Sequence, residues 1–192
     1  GKSVAIAPYI VNLESSNTEN PNVIAMYKTW SLAEIRADLQ KRRTGLVNIC
    51  MNLTNDFNKA SVIRANNAFL GAAVYIVGRR KFNRVGTVGT HCYENVFSAE
   101  TLAEVVTHLK ADGYTIYGVD NLPEYSPQAH WDVDYPKKSA FIYGEEQRGL
   151  QPEELALCDA MVYIQQDGSV RSLNVAQAAA CIMSEYSRQH RR

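Results

Sequence analysis

Short apolar segments of strand length alternate with helical segments along most of this chain. Strands are predicted from the uninterrupted apolar runs at residues 46–53, 72–78, 114–120, 139–144 and 160–165. Helices are predicted at residues 58–70, 98–113, 151–159 and 173–190, with Ser98 as the N-cap of the second. Uninterrupted apolar strands are typical of sheets covered on both faces. The order of the elements therefore predicts an α/β fold: a mostly parallel sheet with helices on both faces.

The chain of 192 residues fits one domain with a short extension. Residues 23–40 have helical periodicity, with Ser31 as a cap or a kink. We therefore predict an N-terminal extension over 1–44, made of a loop and a helix, and one domain over 45–192. Ligands of open α/β sheets bind at the carboxyl ends of the strands. The loops after residues 53, 78, 120, 144 and 165 are therefore the places to search for a site.

Composition narrows the class of protein. The formal net charge is zero, which argues against a generally basic nucleic-acid binder but allows local basic clusters, such as Lys41–Arg43 and Arg79–Lys81 with Arg84. The four cysteines lie far apart without a CxxC pair, and the four histidines lack ligand spacing, so we expect reduced thiols and no metal. With no apolar run approaching the ~18 residues of a membrane helix and no leader pattern, we expect a cytoplasmic protein.

Three of the candidate loops carry polar residues of unusual type. Asn58 precedes Arg64 by six residues, "GEEQRGL" follows residue 143, and "QQDGSVRSLNV" follows residue 164. Each allows a structural explanation. Asn58 can cap a helix, Arg64 can extend to solvent, and "GEEQRGL" can be a polar turn. Ser172 or Asn174 can cap the last helix, but Leu173 between them has no capping role.

Together the three loops resemble the motifs of the SpoU/TrmH branch of the SPOUT RNA ribose 2′-O-methyltransferases, over about residues 45–190. The first motif matches Asn58, Arg64, Phe69 and Gly71. The second matches Gly144, Glu146, Gly149 and Leu150. The third matches Ile164, Gly168, Ser172, Leu173, Asn174 and Val175. The residue sequence of this third segment is most similar to that of eukaryotic-type tRNA guanosine-18 ribose methylases. The chain departs from the family pattern at Lys59, Leu70 and Gln165.

This resemblance implies a fold, a cofactor and a reaction. The family fold ends in a deep trefoil knot and binds S-adenosylmethionine there. The cofactor-binding residues would be Val119, Gly144, Ile164 and Leu173. The family's proposed catalytic group falls at Arg64, with Asn58, Glu146, Ser172 and Asn174 positioning its partners. The reaction would transfer a methyl group to a ribose 2′-hydroxyl of tRNA or rRNA.

The resemblance also implies partners. Family members are homodimers through their knot helices, so that one active site draws on both chains. The apolar side of the last helix fits this interface and the chain's own core equally well; it comprises Ala178, Ala179, Ile182, Met183 and Tyr186. Phosphate contacts to RNA are expected from Arg79, Arg80, Lys81 and Arg84. Two alternatives stay open: a catalytically silent knotted protein that binds RNA or assists ribosome assembly, and a flavodoxin-like small-molecule domain.

Overall fold

The computed structural model describes residues 6–8, 23–51, 56–78, 93–145 and 147–191. The strands are β1 (Ala7–Pro8), β2 (Val47–Met51), β3 (Ala73–Val77), β4 (Val96–Ala99), β5 (Thr115–Val119), β6 (Gln128–Ala129), β7 (Ser139–Tyr143) and β8 (Ala160–Tyr163). The helices are α1 (Leu32–Arg42), α2 (Asp56–Ala68), α3 (Leu102–Ala111), α4 (Pro152–Leu155) and α5 (Val175–His190). Among these residues, no helix combines the length and apolarity that a membrane crossing requires.

All eight strands form one sheet in the order β1-β4-β3-β2-β7-β5-β8-β6. Among the strands of the described residues, only the short β1 runs antiparallel to its neighbour, and every other pairing is parallel. The prediction of a mostly parallel sheet is confirmed. Strands β7, β5 and β8 are adjacent, so the loops that follow them meet at one edge of the sheet.

Side chains alternate between two cores on opposite faces of the sheet, as the pleat of a strand requires. On one face, Phe141 of β7 packs in the cluster that includes residues of α2 and α5. On the other, its neighbour Ile142 packs in the cluster that includes residues of α3 and α4. Helices therefore cover both faces, as predicted. The trefoil knot stays a prediction.

The region before α3 differs from the sequence prediction. Ser98 lies inside strand β4 and does not cap a helix. Thr101 is the N-cap of α3, because its side chain accepts a hydrogen bond from the backbone N–H of Glu104 at 3.4 Å. The strand was missed because it has only four residues and two of them are half-exposed, so it forms no long apolar run.

Nearer the N-terminus, Ser31 is the N-cap of α1, because its side chain accepts a hydrogen bond from the backbone N–H of Glu34 at 3.1 Å.

The basic cluster Lys41–Arg43 is divided between the surface and the interior. Arg43 forms an ion pair with the buried Glu94, with 2.9 Å between Nη2 and Oε2. Arg42 pairs with Asp38 at 3.1 Å in a partly exposed setting. Arg43 is therefore a structural residue and is not available to a nucleic acid.

Candidate active site

A cavity of about 730 Å³ opens at the carboxyl ends of β5, β7 and β8. Its volume is in the range of small-molecule sites in proteins. Three loops line it, one after each strand, and the beginning of α5 closes it. All four residues predicted to hold the cofactor line this one cavity: Val119, Gly144, Ile164 and Leu173.

The loop after β7 folds back over its own first residue. A Cβ atom on Gly144 would lie 2.5 Å from the carbonyl carbon of Gly149 and 2.6 Å from the backbone nitrogen of Leu150. Gly149 itself has a φ of +65°, which favours glycine, and its N–H donates to the carbonyl of Glu145 at 2.8 Å. The two glycines of the second motif are therefore required by a tight turn that forms one wall of the cavity.

Asp120 fastens the loop after β5 to the loop after β7. Its Oδ2 accepts a hydrogen bond from the backbone N–H of Leu150 at 3.2 Å, and its Oδ1 accepts from the N–H of Asn121 at 2.8 Å. The two loops belong to neighbouring strands, so this carboxylate fixes their spacing on one side of the cavity.

The third motif forms the start of α5. Asn174 is the N-cap: its Oδ1 accepts from the backbone N–H of Gln177 at 2.9 Å, and the Gln177 side chain accepts from the N–H of Asn174 at 3.3 Å. This reciprocal pair is a capping box. Ser172 and Leu173 precede the cap and line the cavity. The sequence S-L-N therefore combines a helix cap with two cavity residues.

Helix α2 carries the first motif, and α2 packs against α5. Arg64 is exposed and is not among the residues that line the cavity, while Asn58 is half-buried and engaged in a contact. The exposed residues Phe57, Ser61, Arg64 and Ala68 recur at helical spacing and share one face of α2. The structure therefore brings Ser172 and Asn174 to the cavity but leaves Arg64 on an adjacent outer surface.

Five predicted site residues lie outside the described residues, namely Glu146, Arg79, Arg80, Lys81 and Arg84. Within the part of the chain that the structure describes, no group of His, Cys, Asp and Glu side chains is arranged to hold a metal ion.

The face of the last helix is part of the chain's own core. Ala179, Ile182, Met183 and Tyr186 are buried within the single chain, and Ala178 lines the cavity. The structure thus decides between the two interpretations of this stripe in favour of the core.

Sequence reasoning missed two arginines at the cavity. Arg148 and Arg171 both line it and are exposed, and neither guanidinium forms a hydrogen bond or ion pair with a residue described by the structure. Arg148 lies inside the second motif and Arg171 directly precedes Ser172. A signal was therefore present: a basic residue lies within the second motif and another within the third.

The departure from the family pattern at Lys59 lies in the interior of the protein. Lys59 is fully buried on α2 and lies near Cys50 of β2. Burial raises the pKa of the Cys50 thiol to about 12, and the charge of Lys59 acts in the opposite direction. The thiol therefore stays protonated and takes no part in nucleophilic chemistry.

Comparison with known proteins agrees with this geometry. The sequence profile of the SpoU rRNA Methylase family matches residues 45–184. The chain is 32% identical over 155 residues to the tRNA (guanosine(18)-2′-O)-methyltransferase of Thermus thermophilus, covering 79% of this chain and 78% of that protein. It is 28% identical over 159 residues to the Escherichia coli protein of the same name, covering 79% of this chain and 67% of that one.

Solved structures show the same fold. The Aquifex aeolicus TrmH/SpoU tRNA modifying enzyme superposes with a TM-score of 0.72 at 25% identity, covering 83% of this chain and 82% of that one. The methyltransferase AviRb from Streptomyces viridochromogenes, in complex with AdoMet, superposes with a TM-score of 0.66 at 24% identity, covering 80% and 61%.

The fold is that of the SpoU/TrmH RNA methyltransferases, which confirms the predicted class of enzyme. The chain belongs to the SpoU rRNA methylase family, as its three motifs indicated.

Proposed function

We propose that this protein transfers a methyl group from S-adenosylmethionine to a ribose 2′-hydroxyl of tRNA. One observation carries the proposal: Val119, Gly144, Ile164 and Leu173, which come from three separate loops, line one cavity. The names of the relatives specify the 2′-oxygen of a guanosine in tRNA. That nucleotide is the first candidate target for this chain.

The residues around the cavity fit the cofactor. Ile164 and Leu173 offer apolar walls for a flat adenine, and Gly144 exposes backbone where any side chain would collide with the loop. The side-chain oxygen of Gln166, which also lines the cavity, is buried without a hydrogen-bond partner among the described residues. A cavity with both apolar walls and unused polar groups suits a nucleoside ligand. The bound cofactor would supply an electrophilic methyl group on a good leaving group.

The protein's own task is then to activate and align the ribose hydroxyl. Arginine stays protonated in proteins, so Arg64 does not serve as a free base. Its guanidinium instead binds the target phosphate, whose oxygen accepts the hydroxyl proton as the 2′-oxygen takes the methyl group, and it stabilises the negative charge that develops on the 2′-oxygen. Arg64 suits this role because it is exposed and forms no ion pair with a described residue. Asn58, Glu146, Ser172 and Asn174 position the reacting groups.

We infer that the active protein is a homodimer in which Arg64 serves the cavity of the partner. Arg64 lies on the exposed face of α2 and does not line the cavity of its own chain. On the same face, Phe57 leaves 71% of its surface exposed. A second copy that packs the rim of its cavity against this face would remove Phe57 from water and bring the guanidinium to that cavity.

The RNA backbone would lie across the mouth of the cavity. Arg148 and Arg171 line that mouth, and neither forms an ion pair within hydrogen-bonding distance of a described residue, although the charge of Arg148 acts on Glu154. Their exposed guanidinium groups are suited to bind phosphates. Arg79, Arg80, Lys81 and Arg84 stay predicted as further phosphate contacts.

The test is to incubate the protein with S-adenosylmethionine carrying a labelled methyl group and with bulk tRNA, and then to map the labelled ribose. We expect label at one ribose 2′-oxygen, its loss in Arg64→Ala, and its retention in the control Ser61→Ala on the same face of α2. Cofactor binding without any labelled RNA would instead support the catalytically silent alternative.

Mixing two inactive variants tests the shared site. Arg64→Ala lacks the guanidinium, and Gly144→Val would disrupt the cavity. If Arg64 serves the partner, a mixed dimer contains one intact site and activity returns on mixing. If Arg64 serves its own chain, both sites of the mixed dimer are defective, so a mixture that stays inactive would contradict the shared site.

A further inference from the structure

A chain of buried polar side chains runs through the core between the cavity wall and helix α1. Its members are Tyr143 at the end of β7, Asn48 near the start of β2, Asn66 on α2 and Glu94 before β4. None is more than 3% exposed. Polar groups at such depth cost free energy unless they are hydrogen-bonded.

Each member is hydrogen-bonded to the next. The Tyr143 hydroxyl donates to Asn48 Oδ1 at 3.0 Å, and Asn48 Nδ2 donates to Asn66 Oδ1 at 3.0 Å. Asn66 Nδ2 donates to Glu94 Oε1 at 2.8 Å and to the carbonyl of Gly71 at 3.2 Å. Arg43 closes the chain at Glu94. Burial raises the pKa of Tyr143 well above 10, so its hydroxyl remains a donor.

This chain is not needed for stability alone. Apolar residues of similar shape in place of both partners of a buried hydrogen bond are often neutral or stabilising. What a hydrogen bond adds is direction, because it holds two elements in one register whereas apolar contacts allow them to slide. The bond between Asn48 and Asn66 joins β2 to α2, and the bond from Tyr143 joins β7 to β2.

The two ends of this connection lie next to the site. Tyr143 lines the cavity and directly precedes Gly144, while Asn66 follows Arg64 by two residues on the same helix. Asn66 points into the core, whereas Arg64 is exposed. Gly71 of the first motif makes room for the Asn66 amide, since a Cβ atom there would overlap Asn66 Oδ1.

We propose that Asn48 and Asn66 are positioning residues that fix the helix carrying Arg64 relative to the strand that ends at the cofactor cavity. This inference rests on the proposed function. In a symmetric dimer the same bond sets the placement of Arg64 at the partner's cavity, because it fixes α2 within each copy. A displacement of ~1 Å of a reacting group can lower a rate by about 100-fold.

The variants Asn66→Leu and Asn48→Leu and their double test the proposal, with Asn67→Leu as the matched control. Asn67 is the next residue on α2 and donates to Glu94 Oε2 at 3.3 Å, but it forms no bond with Asn48. Thermal unfolding first establishes the temperature at which every variant is folded. Methyl transfer is then measured in a single turnover with cofactor and tRNA saturating, beside calorimetric binding of S-adenosylmethionine.

We expect the single-turnover rate of Asn66→Leu to fall by at least about 10-fold, with cofactor affinity within about 3-fold of the wild type. Asn67→Leu should keep the wild-type rate. Because Asn48 and Asn66 act through one bond, the double variant should be no slower than the slower single variant. A folded Asn66→Leu protein with the wild-type rate, or losses that multiply in the double variant, would overturn the proposal.

Crystal structures give a readout that does not depend on activity. After superposition of the sheet, α2 of Asn66→Leu should be displaced by about 1 Å relative to β7, and α2 of Asn67→Leu should not. An undisplaced α2 would refute the positioning role even if the wild type methylates RNA. A wild type that methylates no RNA, with α2 displaced in the variant, would refute the proposed function and leave the structural coupling established.

Discussion

Replacing Arg43 by methionine removes the guanidinium that neutralises the buried Glu94. The Arg43 side chain is 6% exposed and that of Glu94 is 0% exposed. The guanidinium donates to both carboxylate oxygens, at 2.9 and 3.3 Å, and to the backbone carbonyls of Tyr93 at 2.5 Å and Gly71 at 3.0 Å. Loss of one partner from such a pair leaves an uncompensated buried charge. The expected decrease in the free energy of unfolding is about 3–5 kcal/mol near neutral pH.

Arg42→Met is the matched control, because it removes the same side chain one residue earlier. Arg42 is 47% exposed and its partner Asp38 is 27% exposed. Ion pairs in such settings contribute up to about 1 kcal/mol. Urea unfolding followed by circular dichroism measures both variants, and an unchanged dependence on urea concentration shows that only stability differs. A loss below about 1 kcal/mol for Arg43→Met would refute the structural role of this pair.

The pH dependence gives a second test of the same pair. Burial raises the pKa of Glu94 above its ordinary value of 4.5, and Arg43 and the two asparagines oppose this. A folded state that binds the proton more tightly than the unfolded state is favoured at low pH, and this advantage is lost as the pH rises through the raised pKa. Removing Arg43 raises that pKa further. The destabilisation of Arg43→Met should therefore be larger at about pH 7 than at about pH 5, and the reverse order would contradict a buried carboxylate.

Three further predictions concern the cavity. Gly144→Ala should weaken binding of S-adenosylmethionine by at least about 10-fold in calorimetry, because the new methyl group would force the loop at Gly149 to move. The control Gly168→Ala should bind the cofactor as the wild type does, because the space around Gly168 is open. Asn174→Ala should lower the free energy of unfolding by about 1 kcal/mol through loss of the capping box, and Ser172→Ala, which removes no cap, by less than about 0.5 kcal/mol. Neutralising Arg148 and Arg171 together should reduce the steepness of the plot of log affinity for tRNA against log salt concentration by about 1.4–1.8. The control Arg188→Gln should leave this slope unchanged, because the guanidinium of Arg188 pairs with Glu185 at 2.7 Å.

The sequence predicted those strands that are buried on both faces. Strands β2, β3 and β7 have almost every residue buried, so their apolar runs are uninterrupted and their positions were predicted to within a few residues. Strand β4 escaped notice because Phe97 and Ser98 are half-exposed. The two-residue strands β1 and β6 are too short to leave any periodic pattern.

The sequence predicted the site residues that lie in the loops after the strands. It did not predict the hydrogen bonds between polar side chains that pair across the core. Parallel strands end at one edge, so motifs in their loops meet there whatever the strand order. The buried polar chain had no such signal. Asn66 and Glu94 are 28 residues apart, and in the sequence each resembles a surface residue. Only the fold shows that both lie where no water can replace a missing partner.

One face of the last helix belongs to the core of its own chain, while a dimer through the knot helices stays a prediction. Met183 and Tyr186 are occupied within their own chain, so they do not also provide an interface. The exposed face of α2, with Phe57 and Arg64, remains available for a two-fold contact. In a two-fold dimer each copy presents the same surface to the other. A two-fold interface that joins this face of α2 to the cavity rim of the other copy would therefore place an arginine at both cavities at once, and a chain that dimerises without covering Phe57 would contradict this arrangement.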